Sequence, residues 1–560
     1  MKITKTIQTD VLVIGAGGSG LRAALAAAEA GSQVIVTNKG PVSKSGITLT
    51  AAGGMQAPFH PDDSAEQYFQ DTVTYGYGLG DKNLARALAD DACGRTLDLE
   101  RYGTPFIRDS GGNFSLSQFP GQSRYRNLWI KGGGIGLVSS LLAACKKNSN
   151  ILIVDDFFVT GLVKSSSSGE IRVVGAVGLN LRNGEFTLIN AKAVVMATGG
   201  CQWLWEINDC PTDATGDGLV YAYRAGAELV DMEMVLFYPT VIVWPLSLKG
   251  AFVHYEYLSK AMLEGNVYDK DGKAVLPNPL PVRDEAMRLM AKAISEGQGS
   301  AHGGLLWYVG DSPKGPEVIK STLNSAQYSY IKAHGIDPAT EKIEVAPGAH
   351  YLLGGIHISE KCQTTLKGLF ATPECAGNFD GANRLAGNGL TATQVFGARA
   401  GFYAHKWAVN NQQYVEADPI SLEEEMWRVG HKIGTCKDAG VGITEIRQQL
   451  RAAMQLYAGV NRDAEGLKQL EMVTCEVREK LAHERASNVT IYNQHLVDIL
   501  QLEIMCEVAS LIAGSALLRQ ESRGHHFRID FPRQDDSNWL RHTLAVRTQQ
   551  GPRFGTKPVI

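Results

Sequence analysis

Near the start of the chain, an apolar strand, a glycine turn, an alanine-rich helix and a second apolar strand follow one another. The segments are DVLVIGAGGSG, LRAALAAAEAG and SQVIVTN, within residues 9 to 38. Apolar runs of strand length that flank a helix of this kind predict a βαβ unit.

Later segments extend this pattern and then depart from it. ILIVDDFFVTGLV, RVVGAVGLNL and AKAVVMATGG read as further strands, which indicates an α/β nucleotide-binding domain with an inserted β-meander. Turn residues such as YDKDGKAVLPNPLP mark residues 241 to 345 as an inserted domain. From residue 421 to about 519 the apolar residues recur with a period of 3.6, which predicts a helical domain before an irregular tail.

The length agrees with several domains. A chain of 560 residues exceeds the ~250 to 300 residues that one core can fill, so two to four domains are expected. The 44% of hydrophobic residues is ordinary for globular proteins.

Charge and hydropathy exclude two classes of partner. The net charge is -4 and no block of lysine and arginine stands out, so nucleic-acid binding is not expected. The chain starts without the regions of a signal peptide, and no run reaches the ~18 apolar residues of a membrane helix. We expect a cytoplasmic protein without direct membrane insertion, held at most at the cytoplasmic face of the membrane by a partner.

The nine cysteines form no metal-binding pattern. They are scattered from Cys93 to Cys506 without CxxC or CxxCH. We therefore predict no metal site and no haem attachment, and we interpret the cysteines as free thiols.

Gly15, Gly17 and Gly20 form a GxGxxG motif between the first strand and its helix. In such a motif the first glycine allows a tight turn, the second lets the backbone approach a pyrophosphate, and the third lets helix and strand pack closely. An acidic residue usually ends the second strand and binds ribose, but here Thr37 and Asn38 occupy that place. A second glycine turn, ATGG, closes a later strand, as in FAD folds.

These motifs resemble those of the fumarate reductase/succinate dehydrogenase flavoprotein family, which includes L-aspartate oxidase and the soluble fumarate reductases. The matching segments spread over nearly the whole chain: DVLVIGAGGSG, TAAGGM, ATGDGLVYAYRAGAELVDMEM, PVRDEAMRLMAKAI, AHYLLGGI, GLFATPECAGNFDGANRLAGNGLTATQVFGARAG and ESRGHHFRIDFPRQDD.

The resemblance implies an α/β fold with a Rossmann-like FAD-binding domain, an inserted α+β capping domain, a C-terminal helical domain and an irregular tail. The implied ranges are 1–240 and 346–415 for the FAD-binding domain, 241–345 for the capping domain, 416–520 for the helical domain and 521–560 for the tail.

The resemblance also carries over a set of FAD-binding residues. They are Gly15, Ala16, Gly17, Gly20, Lys39, Thr48, Gly53, Gly54, Asp217, Glu374, Asn388 and Leu390. Asp217 and Glu374 have an alternative interpretation as loop carboxylates that cap helices.

The histidine that bonds covalently to the flavin in quinone-linked members is missing. Gly46 or Ile47 occupies its place, and neither side chain can form the bond. We therefore expect non-covalent FAD. A covalent link raises the flavin potential, so its absence disfavours oxidation of succinate and favours either reduction of a C=C bond or oxidation of a substrate that is easier to oxidise.

Arg283 in PVRDE matches the arginine that donates the proton in the family. Since the pKa of free arginine exceeds ~12, this role requires burial and a neighbour that replaces the proton. The alternative is a surface arginine paired with Asp284 or Glu285.

His350 and Arg384 match the family's carboxylate-binding histidine and arginine. A guanidinium pairs with both oxygens of a carboxylate, which explains the residue type. Phe119 matches an aromatic residue near the substrate, or it is simply a core phenylalanine.

Two departures change the expected substrate. A clamping histidine of the family is replaced by Tyr238, and the family's Thr-Glu pair is absent from a longer segment in which Glu256, Glu264 or His254 could serve as the proton relay. One half of the dicarboxylate clamp is thus retained and the other rebuilt. We expect an enoate with one carboxylate and a different second group, rather than plain fumarate.

Three functions remain open. The first is an FAD-dependent reductase, or the reverse dehydrogenase, that acts on a small carboxylate with Arg283 as proton donor or acceptor and exchanges electrons with an iron–sulfur subunit. The tail ESRGHHFRIDFPRQDD matches subunits that dock such a protein, although packing across the FAD domain would also explain it. The second is an amino-acid oxidase like L-aspartate oxidase, and the third is a non-catalytic electron-transfer subunit.

Overall fold

The structure is a computed structural model that describes residues 1–167, 169–260, 262–323, 325–434 and 442–559, the side chains of residues 325–327 excepted. Cys436 lies outside the described residues. The eight other cysteines are free thiols.

The first part of the chain alternates strands and helices. Its elements are β1 (Lys5–Ile14), α1 (Gly18–Glu29), β2 (Val34–Thr37), β3 (Gly54–Gln56), α2 (Ala65–Tyr75), α3 (Lys82–Arg101), β4 (Asn127–Trp129), α4 (Gly133–Lys147), β5 (Ile151–Val154), β6 (Phe157–Ser165), β7 (Arg172–Asn180), β8 (Phe186–Met196), α5 (Asp217–Ala225) and β9 (Leu229–Val230).

The middle part contains the insert and the return to the first domain. Its elements are β10 (Val235–Trp244), β11 (Asn266–Tyr268), α6 (Arg283–Ala293), β12 (Leu305–Tyr308), α7 (Pro316–Thr322), α8 (Ser325–Ala333), β13 (Ile343–Leu352), β14 (Gly355–Ile356), β15 (Leu369–Ala371) and α9 (Asn388–Asn410).

The last part begins with helices and ends with strands. Its elements are α10 (Pro419–Gly430), α11 (Ile443–Tyr457), β16 (Asn461–Arg462), α12 (Ala464–His483), α13 (Gln494–Leu518), β17 (Phe527–Arg528), α14 (Asp536–Trp539), β18 (Arg541–Thr548) and β19 (Gly551–Pro558).

A seven-stranded sheet forms the centre of the first domain. Its order is β5-β2-β1-β8-β7-β6, and β15 also pairs with β8. The strands β1, β2, β5, β8 and β15 run parallel, whereas β6, β7 and β8 form an antiparallel run. The βαβ unit and the inserted meander that the sequence predicts are therefore both present.

The insert has a sheet and a core of its own. The antiparallel order is β10-β13-β12-β11, and a separate buried apolar cluster extends from Tyr238 to Val345. The predicted domain boundaries at 240/241 and 345/346 fall inside β10 and β13. The continuous strands β10 and β13 thus connect the insert with the first domain. They bring the parts of the two domains that line the cavity, described below, close together.

The C-terminal helices pack on the first domain. The longest, α13, is rich in apolar residues and buried over most of its length. No helix in the described ranges is both long and apolar enough to cross a bilayer.

The tail is more regular than expected. Residues 541–558 form an antiparallel hairpin, β18 and β19, and β18 pairs with β9 of the first domain. Buried polar contacts fix this arrangement: His542 Nδ1 lies 2.5 Å from Asp231 Oδ2, and Arg519 Nε lies 2.6 Å from Glu233 Oε1. The alternation in RHTLAVRT is short, which is why the sequence alone did not predict these strands.

Candidate active site

One cavity connects the glycine turn after β1 with the insert. Among its lining residues are most of those that the sequence singles out: Gly15, Ala16, Gly17, Lys39, Thr48, Gly53, Gly54, Asp217, Tyr238, Arg283, His350, Glu374, Arg384 and Leu390. The predicted cofactor residues and the predicted substrate residues therefore face a common space.

The glycine turn shows why two of its positions need glycine. Gly15 has φ +106°, and a Cβ there would lie 2.3 Å from the carbonyl oxygen of Ala197. A Cβ on Gly20 would lie 1.8 Å from the carbonyl oxygen of Gly15. Gly20 does not line the cavity, and in this structure it packs α1 onto the turn.

Asn38 and Lys39 occupy the end of β2, where a ribose-binding acid was expected. The Asn38 side chain accepts a hydrogen bond from the backbone N–H of Ala16 at 3.1 Å. Lys39 Nζ lies 2.6 Å from Asp217 Oδ2. Asp217 does not cap α5 with its side chain, so the capping alternative for this residue is wrong.

Glu374 lies inside the cavity wall. Its Oε1 accepts hydrogen bonds from Gln202 Nε2 at 2.5 Å and from the backbone N–H of Leu352 at 3.3 Å. Burial raises the pKa of Glu374 to about 7. Asn388, by contrast, is fully buried and bonded to Gln56 and Tyr68, and it does not line the cavity, whereas the following residues Gly389 and Leu390 do.

The wall of this cavity fits a dinucleotide. Thr198 Oγ1 and Asp213 Oδ1 line it and are buried without a hydrogen-bond partner among the described residues. Buried polar atoms normally have partners, so these two atoms indicate a polar ligand. The turn at Gly15 and Gly17 leads into the start of α1, where an anion such as a pyrophosphate is favoured.

The segment without the attachment histidine borders the same space. Gly46 has φ +100°, and both Gly46 and Ile47 line the cavity. Cys210 also lines it, but burial raises the pKa of its thiol well above the ordinary range, so the thiol is protonated and a poor nucleophile.

Arg283 is buried and paired with Glu256. Nε of Arg283 donates to Glu256 Oε1 at 2.7 Å, and Nη2 donates to the same oxygen. The side chains are 10% and 4% exposed. The alternative of a surface arginine paired with Asp284 or Glu285 is therefore wrong.

The electrostatics of the pair favour the charged form of both side chains. Burial alone would raise the pKa of Glu256, but Arg283 and His254 hold it below its usual value. Burial alone would lower the pKa of Arg283, but Glu256 raises it. Each charge stabilises the other. When Arg283 loses a proton, the positive charge that keeps Glu256 ionised is therefore lost as well.

Tyr238 contacts the pair of Arg283 and Glu256 and does not act as a clamp on a substrate carboxylate. Its hydroxyl donates to Glu256 Oε2 at 3.1 Å and accepts from the backbone N–H of Tyr255 at 3.0 Å. Its ring lies 5.0 Å from the guanidinium carbon of Arg283. The hydroxyl is thus already used, and Tyr238 positions Glu256. Glu264, another relay candidate, does not line the cavity.

Arg384 is a buried cation without a charged partner at contact distance among the described residues. It is 6% exposed, and its Nε has no hydrogen-bond partner in the described part of the chain. The guanidinium lies over the Tyr351 ring at 4.2 Å. Burial of an unpaired charge is costly, so the site favours an anion at this position.

His350 is oriented by Asp209. Nδ1 of His350 lies 2.7 Å from Asp209 Oδ2, which leaves Nε2 as the nitrogen available to a ligand. The Asp209 side chain is 2% exposed. This carboxylate fixes the orientation of the imidazole ring, so that Nε2 can face a ligand. The sequence analysis missed Asp209, because nothing local links it to a histidine 141 positions away.

A row of aromatic rings completes the wall. Trp129, Phe252 and His254 line the cavity, with centroid distances of 6.3 Å from Trp129 to His254 and 5.4 Å from Phe252 to His254. Phe119 packs on Trp129 at 5.9 Å and does not line the cavity, so Trp129 is the aromatic residue closer to a ligand.

The fold and the cavity define a flavin-dinucleotide oxidoreductase. The family described as FAD binding domain matches residues 10–390, and the family described as fumarate reductase flavoprotein C-term matches residues 447–560.

Relatives that match over nearly the whole chain narrow this class. The chain is 34% identical over 559 residues to one subunit of the fumarate reductase (CoM/CoB) of Methanothermobacter marburgensis, covering 98% of each chain. It is 32% identical to the fumarate reductase flavoprotein subunit of Mycobacterium tuberculosis, covering 99% of this chain and 97% of that one. A variant of E. coli quinol fumarate reductase superposes with a TM-score of 0.90 at 29% identity, covering 99% of this chain and 97% of that one.

The chain belongs to the fumarate reductase/succinate dehydrogenase flavoprotein family. It is an FAD-dependent oxidoreductase that acts on CH–CH bonds. The resemblance stated from the sequence and the FAD cofactor are thereby confirmed.

Acid precipitation of the purified protein should release the flavin. Neither Gly46 nor Ile47 has a group that bonds to it, so we expect the yellow colour in the supernatant, measured by an absorbance scan of both fractions. A flavoprotein with covalent flavin, treated in parallel, provides the control. Colour that stays in the pellet would show that another side chain holds the flavin covalently.

Proposed function

We propose that this chain is the flavoprotein subunit of an enoate reductase. The observation that carries the proposal is the buried cation Arg384, which together with His350 lies on the same cavity as the ionised pair Arg283 and Glu256. A site that holds one carboxylate beside a buried proton donor suits the reduction of a C=C bond conjugated to that carboxylate.

Arg384 and His350 bind the substrate carboxylate. The guanidinium offers a planar set of donors, and the Asp209-oriented imidazole adds Nε2. Together they fix the alkene and draw electron density toward the carboxylate, which makes the distant alkene carbon more electrophilic.

When bound and reduced by two electrons from the partner subunit, FAD would supply a hydride to one alkene carbon. The proton for the other carbon comes from Arg283. Once Arg283 becomes neutral, the attraction that holds the pKa of Glu256 down disappears, and Glu256 can take up a proton and return it to Arg283. The hydroxyl of Tyr238 holds Glu256 in position for this relay.

Direct contact with Arg283 distinguishes Glu256 from the other two candidates for the proton relay, His254 and Glu264. Glu256 bonds directly to Arg283, whereas His254 Nδ1 lies 3.9 Å from Glu256 Oε2 and Glu264 is outside the cavity wall. Glu256 therefore takes the relay role.

The FAD contacts proposed for Gly15, Gly17, Gly53, Asp217 and Glu374 rest on their places around the same cavity.

Electrons arrive from a separate iron–sulfur subunit under this proposal. The support is the family and the names of relatives that are subunits of larger enzymes. The tail motif gives no additional support for an iron–sulfur partner. Four of its side chains are buried against the first domain: Glu521, Arg523, His525 and His526. We place the complex in the cytoplasm, held at the membrane face only through partners.

A reoxidation experiment tests the proposal. The purified chain is reduced anaerobically with dithionite, freed of excess reductant and mixed with fumarate, monomethyl fumarate, crotonate or air-saturated buffer. We expect at least one enoate to reoxidise the flavin faster than oxygen does. Rapid reoxidation by air with no response to any enoate would instead support the amino-acid oxidase, and the absence of any response beyond slow air oxidation would support the non-catalytic subunit.

A further inference from the structure

At the end of the cavity beside Tyr238, the Tyr238 hydroxyl is not available as a hydrogen-bond donor to a substrate. The Tyr238 hydroxyl bonds to Glu256 and to the backbone of Tyr255, so it cannot meet a substrate. The charge of Arg283 is matched by Glu256 in the same place. Any recognition of a second substrate group must therefore come from another side chain.

His254 provides such a side chain. It lines the cavity and its side chain is only 11% exposed. The approach of Nδ1 to Glu256 Oε2, 3.9 Å, is longer than a hydrogen bond. The imidazole thus has donor capacity that the described contacts leave unused, and a buried donor of this kind is stabilised by a ligand acceptor.

Aromatic rings surround this imidazole. Trp129 and Phe252 lie nearly perpendicular to it at interplanar angles of 84°, and Tyr257 lies 5.0 Å away. Trp129 is itself held by a hydrogen bond from Nε1 to Ser117 Oγ at 3.0 Å. The rings form a flat apolar enclosure around a single polar group.

We propose that His254, Trp129 and Phe252 form the subsite for the second end of the substrate. This inference rests on the proposed function. Glu256 is the carboxylate that Arg283 pairs with and that His254 Nδ1 faces at 3.9 Å, so among the described residues this end offers no cation free of Glu256 for a second anion. The ligand class is therefore an enoate whose second end is an uncharged carbonyl, an ester, amide or ketone, with apolar surface against the two rings.

Ligand titrations of the oxidised holoenzyme test the subsite. Monomethyl fumarate has the uncharged carbonyl, fumarate has a second carboxylate and crotonate has only a methyl group at that end. Dissociation constants come from the change in flavin absorbance. We expect monomethyl fumarate to bind more tightly than the other two.

His254→Phe should weaken monomethyl fumarate binding about fivefold to tenfold and leave crotonate binding unchanged, because one hydrogen bond to the carbonyl is lost. His254→Gln, which keeps a donor, should recover most of the loss. His302→Phe is the matched control, since His302 stacks on Trp244 at the surface of the insert, away from the cavity.

Each contrary outcome has a distinct meaning. Equal weakening of monomethyl fumarate and crotonate by His254→Phe would show a structural role and overturn the subsite. A loss of kcat without any change in dissociation constants would assign His254 to proton transfer and also overturn it. If the wild-type protein binds none of the three ligands, the proposed function itself fails, whereas binding of all three with equal affinity overturns the subsite alone.

Discussion

Arg283→Lys is expected to lower kcat for enoate reduction by about a thousandfold. General acid catalysis contributes roughly 10²- to 10⁴-fold, and Arg283 is the proton donor in the proposed mechanism. Lysine keeps the positive charge, but it lacks the two nitrogens, Nε and Nη2, that together fix Arg283 on Glu256 Oε1. The effect should fall on kcat, with a smaller change in KM, because the carboxylate is held elsewhere by Arg384 and His350.

Arg288→Lys is the control for that measurement. Arg288 lies on the same helix, α6, and its Nη2 lies 3.3 Å from Asp284 Oδ2 outside the cavity wall. We expect its kcat to equal that of the wild type. Unchanged turnover of Arg283→Lys with an enoate that the wild type reduces would contradict the proton-donor role.

Glu256→Gln is expected to lower kcat about a hundredfold. The amide can still accept a hydrogen bond from Arg283, but it can neither hold the charge nor carry a proton. Flavin content and thermal unfolding must be followed in parallel, because loss of one partner of a buried ion pair can cost about 3–5 kcal/mol of stability. The depressed pKa of Glu256 predicts that the wild-type carboxyl is already ionised near neutral pH, so its titration should not appear in the neutral part of the pH profile.

Glu264→Gln separates the relay candidates that the sequence leaves open. Glu264 is only partly buried and lies outside the cavity wall, so its replacement should leave kcat unchanged. A loss of activity in Glu264→Gln together with full activity in Glu256→Gln would reverse the assignment.

Local spacing made one part of the cofactor site predictable. Gly15 and Gly17 lie in a short motif whose geometry depends on neighbours in sequence, whereas Asp217 was supplied by the resemblance, and all three line the cavity. Gly20 and Asn388 were predicted in the same way, yet neither lines the cavity: Gly20 packs α1 onto the turn, and Asn388 is bonded to Gln56 and Tyr68. Resemblance supplied Arg283, His350 and Arg384, and the fold brings them to the same cavity across two domains.

The remaining features depend on contacts between distant segments. The sequence does not distinguish Glu256, Glu264 and His254 as relay candidates, because an insertion changes their spacing from the family pattern. Only the fold shows that Glu256 is the one that contacts Arg283. The pairing of Asp209 with His350 and the use of the Tyr238 hydroxyl by Glu256 likewise have no local signal. The strands β10 and β13 run without a break through the predicted domain boundaries at 240/241 and 345/346, and the sequence pattern has no local signal for this continuity.

A crystal structure of the oxidised protein with FAD and monomethyl fumarate tests the central claim most directly. We expect the free carboxylate within about 3 Å of the Arg384 guanidinium and of His350 Nε2, with Arg283 within the same reach of one alkene carbon. A ligand whose carboxylate binds away from Arg384 and His350, or whose alkene lies beyond the reach of Arg283, would contradict it.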